Sequence, residues 1–300
     1  MPPTLTQLIR RVRPDRCGPR TGPQGKVVKT RDEKHRAKGH GNWACWDGHE
    51  LDQLSAAAAR WAEQLPPGDR YWLCWNIHDD WCRLQQRLVL EVGWTPVVGV
   101  DRSQVPEPTI LPGAIRIDFQ AGLPAPDMWM HFPMELVFDW VDRLAFWHSD
   151  VLLPLAAMRA YARQFENLRG PVTAAVFSRR RLLRPRAWDN ADRWFEVIGC
   201  TTREASFSQF RHGAGWWKHF QNHPNCGPVS DLANYHWDHG GGVRYWERAH
   251  GGKVERLRFK SCYHFSHYDR PDLRPRGSPL SVVDLEGAAG QIGIGHLLAK

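Results

Sequence analysis

Three places in this 300-residue chain put chemically capable side chains at the end of an apolar run. In Trp147-His148-Ser149-Asp150 an imidazole and a carboxylate stand two positions apart. In extended chain such residues face one way, and together they can share a divalent cation. The same two residues suit a second role, capping a helix that begins at Val151, since Asp is a strong N-cap. Spacing alone leaves both roles open. The other two places are Ile77-His78-Asp79-Asp80 and Val100-Asp101-Arg102-Ser103. A further concentration is histidine: 8 of the 15 fall in the 56 residues from His212 to His267. His236-x-x-His239 and His264-x-x-His267 have spacings a zinc site can use, but no HExxH supplies a general-base Glu beside them. A His-rich metal-dependent hydrolase is therefore carried as an alternative. There is no Walker A sequence, no GxGxxG after the first strand and no GxSxG, and Gly240-Gly241-Gly242 reads as a loop.

The elements that would position these groups alternate. Residues 50–65 have helical spacing and stop at Pro66-Pro67-Gly68. A short aromatic strand over 71–77, a helix over 81–92 ended by Gly93, and a buried strand over 95–100 form a strand–helix–strand crossover. Further strands are predicted over 114–119, 143–147, 172–177, 194–200 and 254–265, with helices over 151–167, 206–219 and 242–250. Residues 134–140 fit helix or strand, and the Arg-rich stretch 179–193 reads as a loop. Strands without polar alternation, interleaved with helices, predict one α/β domain with a mostly parallel sheet. Ligands of such sheets bind beyond the carboxyl ends of the strands, where all three polar turns lie.

Charge divides the chain into two parts. Residues 1–40 hold 11 of the 40 basic and 3 of the 32 acidic residues, so they account for the whole net charge of +8 and leave a neutral body with 29 of each sign. This arm, rich in Arg, Lys, Pro and Gly, is expected to be flexible, serving solubility or attraction to an anionic membrane surface or nucleic acid. A neutral body argues against nucleic acid as a partner. No run approaches a membrane span, and the amino terminus lacks a signal-peptide core. Seven cysteines without CxxC spacing suit free thiols in a cytoplasmic protein, with contact at the inner membrane surface through the arm as a further expectation. Most of the 16 tryptophans are expected to pack the core, though such a supply also suits stacking on sugars or bases.

The stretch RLAFWHSDVLLP resembles the strand and Asp-x-Asp motif of glycosyltransferases of the GT-A fold, with His148 in the place of the first Asp and Asp150 in the second. PVVGVDRSQ is similar to that family's second strand, which places Asp101 against the nucleoside. NYHWDHGGGVRYWERAHGG resembles its later acidic and Gly-rich motif, with Asp238-His239 where the family carries Glu-Asp. RFKSCYHFSHYDRP resembles the last strand, whose histidine reaches the metal; His267 is the first match and His264 the second.

The resemblance spans about residues 70–270. It implies a single Rossmann-like domain of GT-A type over 41–300, behind the 1–40 arm. It also implies transfer of a sugar from a nucleotide-sugar donor to an acceptor that is a glycan, lipid or protein. A divalent metal, Mn²⁺ or Mg²⁺, would be held by His148, Asp150, His264 and His267. Asp238 would serve as the catalytic carboxylate toward the acceptor. His78, Asp101, Arg203 and Arg211 would contact the donor, and Trp216, Trp217 and Trp237 would stack on the acceptor. A non-catalytic GT-A-like binding protein, working through its Trp-rich face, is the remaining alternative.

Overall fold

A computed structural model describes residues 20–21, 27–28, 48–100, 107–119, 121, 131–178, 193–212, 214–216, 240–258 and 284–299 of the protein. In chain order these form β1 (Arg20–Thr21), β2 (Val27–Val28), α1 (Gly48–Glu63), β3 (Tyr71–Trp75), α2 (Asp79–Glu91), β4 (Thr95–Val100) and β5 (Ile115–Asp118). Then come α3 (His131–Glu135), α4 (Val137–Trp140), β6 (Arg143–Trp147), α5 (Leu155–Glu166), β7 (Val172–Ser178) and β8 (Arg193–Thr202). The last are α6 (Arg203–Arg211), α7 (Gly241–His250), β9 (Lys253–Leu257) and α8 (Leu285–Gln291). Within the basic arm, β1 and β2 pair antiparallel as a separate two-stranded ribbon.

The other seven strands make one sheet in the order β5-β4-β3-β6-β8-β7-β9. Four of its six adjacent pairs are parallel; β8 runs antiparallel to both β6 and β7. The α/β class and the mostly parallel sheet are as the alternation of elements predicts. The lone reversed strand is not predicted by it.

Helices cover both faces because the strands bury both. On β3, Tyr71, Leu73 and Trp75 join one apolar cluster with residues of α1, α4, α6 and α7, while Trp72 and Cys74 join the other with residues of α2, α5 and α8. The ten tryptophans among the described residues are each at most 6 % exposed. Core packing, not an external stacking surface, is where these ten go. Cys74, Cys82 and Cys200 are free thiols inside the core, and burial raises all three, Cys82 to about 12. Among the described residues no helix is long and apolar enough to cross a membrane.

Several boundaries differ from the sequence reading for local reasons. The helix expected over 151–167 starts at Leu155, because Pro154 keeps Leu153 out of the helical region and serves as the N-cap itself. The helix expected over 206–219 runs instead over Arg203–Arg211, capped by the Thr202 hydroxyl, which accepts from the Ala205 N–H at 3.3 Å. Residues 134–140 contribute to two short helices, α3 and α4. The last strand is confined to Lys253–Leu257, its expected continuation past 258 and the stretch 179–192 lying outside the described residues.

The glycine run expected as a loop opens α7 instead, with Gly241 and Gly242 in its first turn, and it has a packing role. Gly240, at φ 78°, is its left-handed N-cap, and an alanine Cβ at Gly242 would stand 2.1 Å from the Gly215 carbonyl oxygen and 2.8 Å from its nitrogen. Backbone cannot yield as a side-chain tip can. Gly242→Ala is expected to cost about 3 kcal/mol, read as a lower denaturant midpoint with unchanged slope.

Candidate active site

The chain leaves β3 for β4 and β5 on one side, then crosses to β6 on the other, so the strand order reverses between β3 and β6. A crevice opens at the carboxyl ends of strands at such a point, and α/β sheets bind ligands there. Here the β3 end supplies Asn76, Ile77 and His78, and the β6 end supplies His148, Ser149 and Asp150. Asn76 is buried, and its N–H donates to the Gly99 carbonyl at 3.0 Å, which locks the β3 end to β4.

His78 is the N-cap of α2, in extended backbone. The adjacent Asp79 holds the first turn of α2 to the segment before β5, its carboxylate accepting from the Thr109 N–H at 2.5 Å and the Thr109 hydroxyl at 2.9 Å. One turn and a half further along α2, the Gln85 amide donates to the carbonyls of both His148 and Val151, each at 2.8 Å. Gln85 is fully buried. One helix therefore fixes both walls of the crevice: it begins at His78 and clamps the turn that carries His148 and Asp150.

That turn closes through the Val151 N–H, which donates to the His148 carbonyl at 3.1 Å. Asp150 is not a helix cap, since α5 begins four residues beyond Val151 and is capped by Pro154. The capping role left open by the spacing is thus removed.

His148 has a buried neighbour that sequence reasoning missed. Its Nε2 lies 3.5 Å from Oε1 of Glu196, whose side chain is 2 % exposed, and its ring meets Phe195 edge-on at 5.8 Å. Glu196 reaches it through an irregularity in β8. Ala175 of β7 pairs with Gly199 while Val176 pairs with Phe195, so residues 196–198 are inserted between consecutive rungs. Bulges of this kind re-aim side chains beside active sites. A carboxylate at this distance orients the imidazole ring and sets which of its two nitrogens faces the crevice. The available signal is a single Glu in the apolar strand WFEVIGC; the signal for Gln85 is a polar residue on the apolar face of α2.

For metal binding, the donor types suit the expectation, an imidazole nitrogen and a carboxylate oxygen being compatible with Mn²⁺. Among the described residues, however, no group of three or more His, Cys, Asp or Glu could hold a metal ion. His264 and His267 lie outside the described residues, as do Asp101, Trp217, Trp237 and Asp238.

The remaining expected site residues stand elsewhere. Arg203 is at the opposite, amino-terminal edge of the sheet: its N–H donates to the Asp142 carbonyl at 2.8 Å, its Nε donates to the Phe138 carbonyl at 3.0 Å, and its Nη1 pairs with the Asp142 carboxylate at 3.0 Å. There it lines a separate cleft of about 380 Å³ with Asp139 and Phe207. Arg211 stays in that half as well, because α6 passes Thr173, which accepts from Gln209 at 2.8 Å, and reaches His250, stacked on His212 at 4.1 Å. Neither arginine meets the crevice. Trp216 is fully buried against Phe146, ring centroids 4.8 Å apart, with its indole N–H 3.3 Å from the Thr201 hydroxyl. It packs the core and presents no face to a sugar.

Compared with known proteins, the chain matches no protein family, no curated protein and no solved structure.

Proposed function

We propose that the protein is a glycosyltransferase of GT-A type, moving a sugar from a nucleoside diphosphate to an acceptor hydroxyl. The single observation that carries this reading is where the His-Ser-Asp turn falls: at the carboxyl end of β6, facing the β3 end across the point of strand reversal. The resemblance of RLAFWHSDVLLP to the family's metal-binding strand is thereby joined to the place where sheets of this kind take their ligands.

In this reading His78 and Asp101 lie toward the nucleoside. The His148–Asp150 turn faces the diphosphate, and the Gln85 clamp holds it rigid before ligand arrives, which lowers the ordering cost of binding. Glu196 orients the His148 ring. Mn²⁺ or Mg²⁺, with His264 or His267 completing its ligands, would neutralise charge on the leaving diphosphate. Asp238 accepts the proton of the acceptor hydroxyl as the new bond to the anomeric carbon forms and the bond to the diphosphate oxygen breaks.

A thermal-shift screen of uridine, guanosine, cytidine and thymidine diphosphates, each with and without Mn²⁺, tests the reading. Ligand at about 100 times its dissociation constant stabilises a fold by roughly 2.7 kcal/mol, a rise of several degrees for a domain of this size. A metal-dependent rise with one base is expected. No rise with any of the four would overturn the proposal.

A further inference from the structure

The same carboxyl edge continues past β8 to β7 and β9, and a second cleft opens there. It holds about 570 Å³ and is lined by Val176, Phe177, Arg256, Leu257 and Arg258. The Phe177 ring carries two guanidiniums, that of Arg256 at 5.4 Å and that of Arg244 at 5.1 Å from its centroid. Arg244, from the first turn of α7, is paired with Glu247, and Glu247 also accepts from the Trp194 indole N–H at 2.7 Å. Trp194 in turn packs on Phe177 at 4.9 Å.

These contacts form a rigid aromatic base that draws positive charge together. The strand end that carries Arg258 is also fixed, since its carbonyl accepts from the Tyr161 hydroxyl of α5. Among the described residues no carboxylate pairs with Arg256 or Arg258; the nearby Glu255 is engaged by the Gln164 amide at 2.5 Å. Two guanidiniums thus gather on one ring and a third, that of Arg258, lines the same cleft, with Glu247 the one carboxylate paired among them within the described residues. Such an excess is repulsive until an anion enters, and the guanidinium fork matches the oxygens of a phosphate.

We infer that this cleft binds the phosphate group of the molecule that receives the sugar, making the acceptor a phosphate ester. The acceptor role rests on the glycosyltransferase reading; the anion site does not. The geometry suits both. Phe177 pairs with Trp194 on β8, and the His148 N–H donates to the Val197 carbonyl of the same strand at 3.1 Å, so the cleft and the turn flank β8 at one edge of the sheet, with β6 and β7 two strand spacings, about 10 Å, apart. A molecule of sugar-phosphate dimensions spans that distance. The phosphate ester is either a soluble compound or a lipid headgroup, and the two are separable.

Full-length protein is titrated with glycerol 3-phosphate and, in parallel, sedimented with phosphatidylcholine vesicles with and without phosphatidic acid. The same is done with the Arg256→Gln/Arg258→Gln variant. Both substitutions are at exposed positions, and melting temperatures of the two proteins establish equal folding. Loss of two charge-assisted contacts is expected to weaken binding about 10-fold or more. A loss seen with glycerol 3-phosphate supports a soluble phosphate ester; a loss seen only on phosphatidic acid vesicles supports a lipid headgroup.

Binding of neither probe by the wild-type chain overturns the inference. Equal binding by the variant does so too, and assigns any vesicle attachment to the basic arm. Nucleoside diphosphate stabilisation, measured on the same two proteins, is expected to be equal. A chain that binds the phosphate ester through these arginines but shifts with no nucleotide would retain the anion site and lose the transferase reading.

Discussion

Asp150→Ala is expected to leave the melting temperature of the ligand-free protein unchanged and to weaken metal-dependent nucleoside diphosphate binding about 100-fold or more. The first half follows from local structure. Asp150 sits in the partly exposed turn after β6 and caps no helix, since Pro154 begins α5, and the backbone of the turn is held by the Gln85 amide. The second half follows from its proposed role. Substitutions that only support a metal ligand already cost about 10–100-fold in affinity, so removal of the carboxylate itself should cost at least that much. The check is the thermal shift with the responsive nucleotide and Mn²⁺, repeated on the variant at rising concentrations. A variant that shifts like wild type would remove Asp150 from the donor site.

Trp72→Ala is expected to lower stability by about 3–5 kcal/mol, the top of the range for truncating a single core side chain. Trp72 is fully buried in the centre of β3, with Trp147, Phe165 and Trp94 at 5.0, 5.4 and 5.5 Å between ring centroids. No neighbour can collapse into the space without abandoning another aromatic contact. The melting temperature should fall by roughly 10 °C. Because Trp147 immediately precedes His148, the cavity also loosens the strand end that carries the turn, so nucleotide affinity should fall together with stability. A fall of less than about 1 kcal/mol, measured by denaturant unfolding, would show that the aromatic cluster repacks.

Much of this architecture is legible in the sequence because it rests on local signals. The crossover from β3 through α2 to β4 follows from an apolar run, a helical period ended by Gly93 and a second apolar run. The placement of His78 and His148 at strand ends follows from the same signals. What escapes is non-local. An apolar strand buried on both faces carries no mark of its direction, so nothing in Trp194–Cys200 tells that it runs against its neighbours. Glu196 becomes a partner of His148 only through that reversal and the inserted rung beside Val176. Trp216 and Arg203 draw attention by residue type near an attractive sequence, and type does not say which edge of a sheet a residue occupies. The arginines about Phe177 come from separate stretches of chain and make no motif at all.

The reversed strand also has a consequence for how the protein is made. Every strand from β4 to β6 leaves the ribosome with a parallel partner already synthesised, so these and β3 can assemble as the chain emerges. Beyond β6 that order breaks. The next strand out, β7, does not bind β6; the seat beside β6 belongs to β8, which comes later. At about 5–20 residues per second, the nascent chain carries the open edge of β6 for several seconds before Arg193–Thr202 arrives to cover it. The edge is apolar, since Leu144, Ala145, Phe146 and Trp147 are all fully buried in the finished sheet. An edge of that composition is where nascent chains find one another, so a pause in translation between β7 and β8 would be paid for in aggregation.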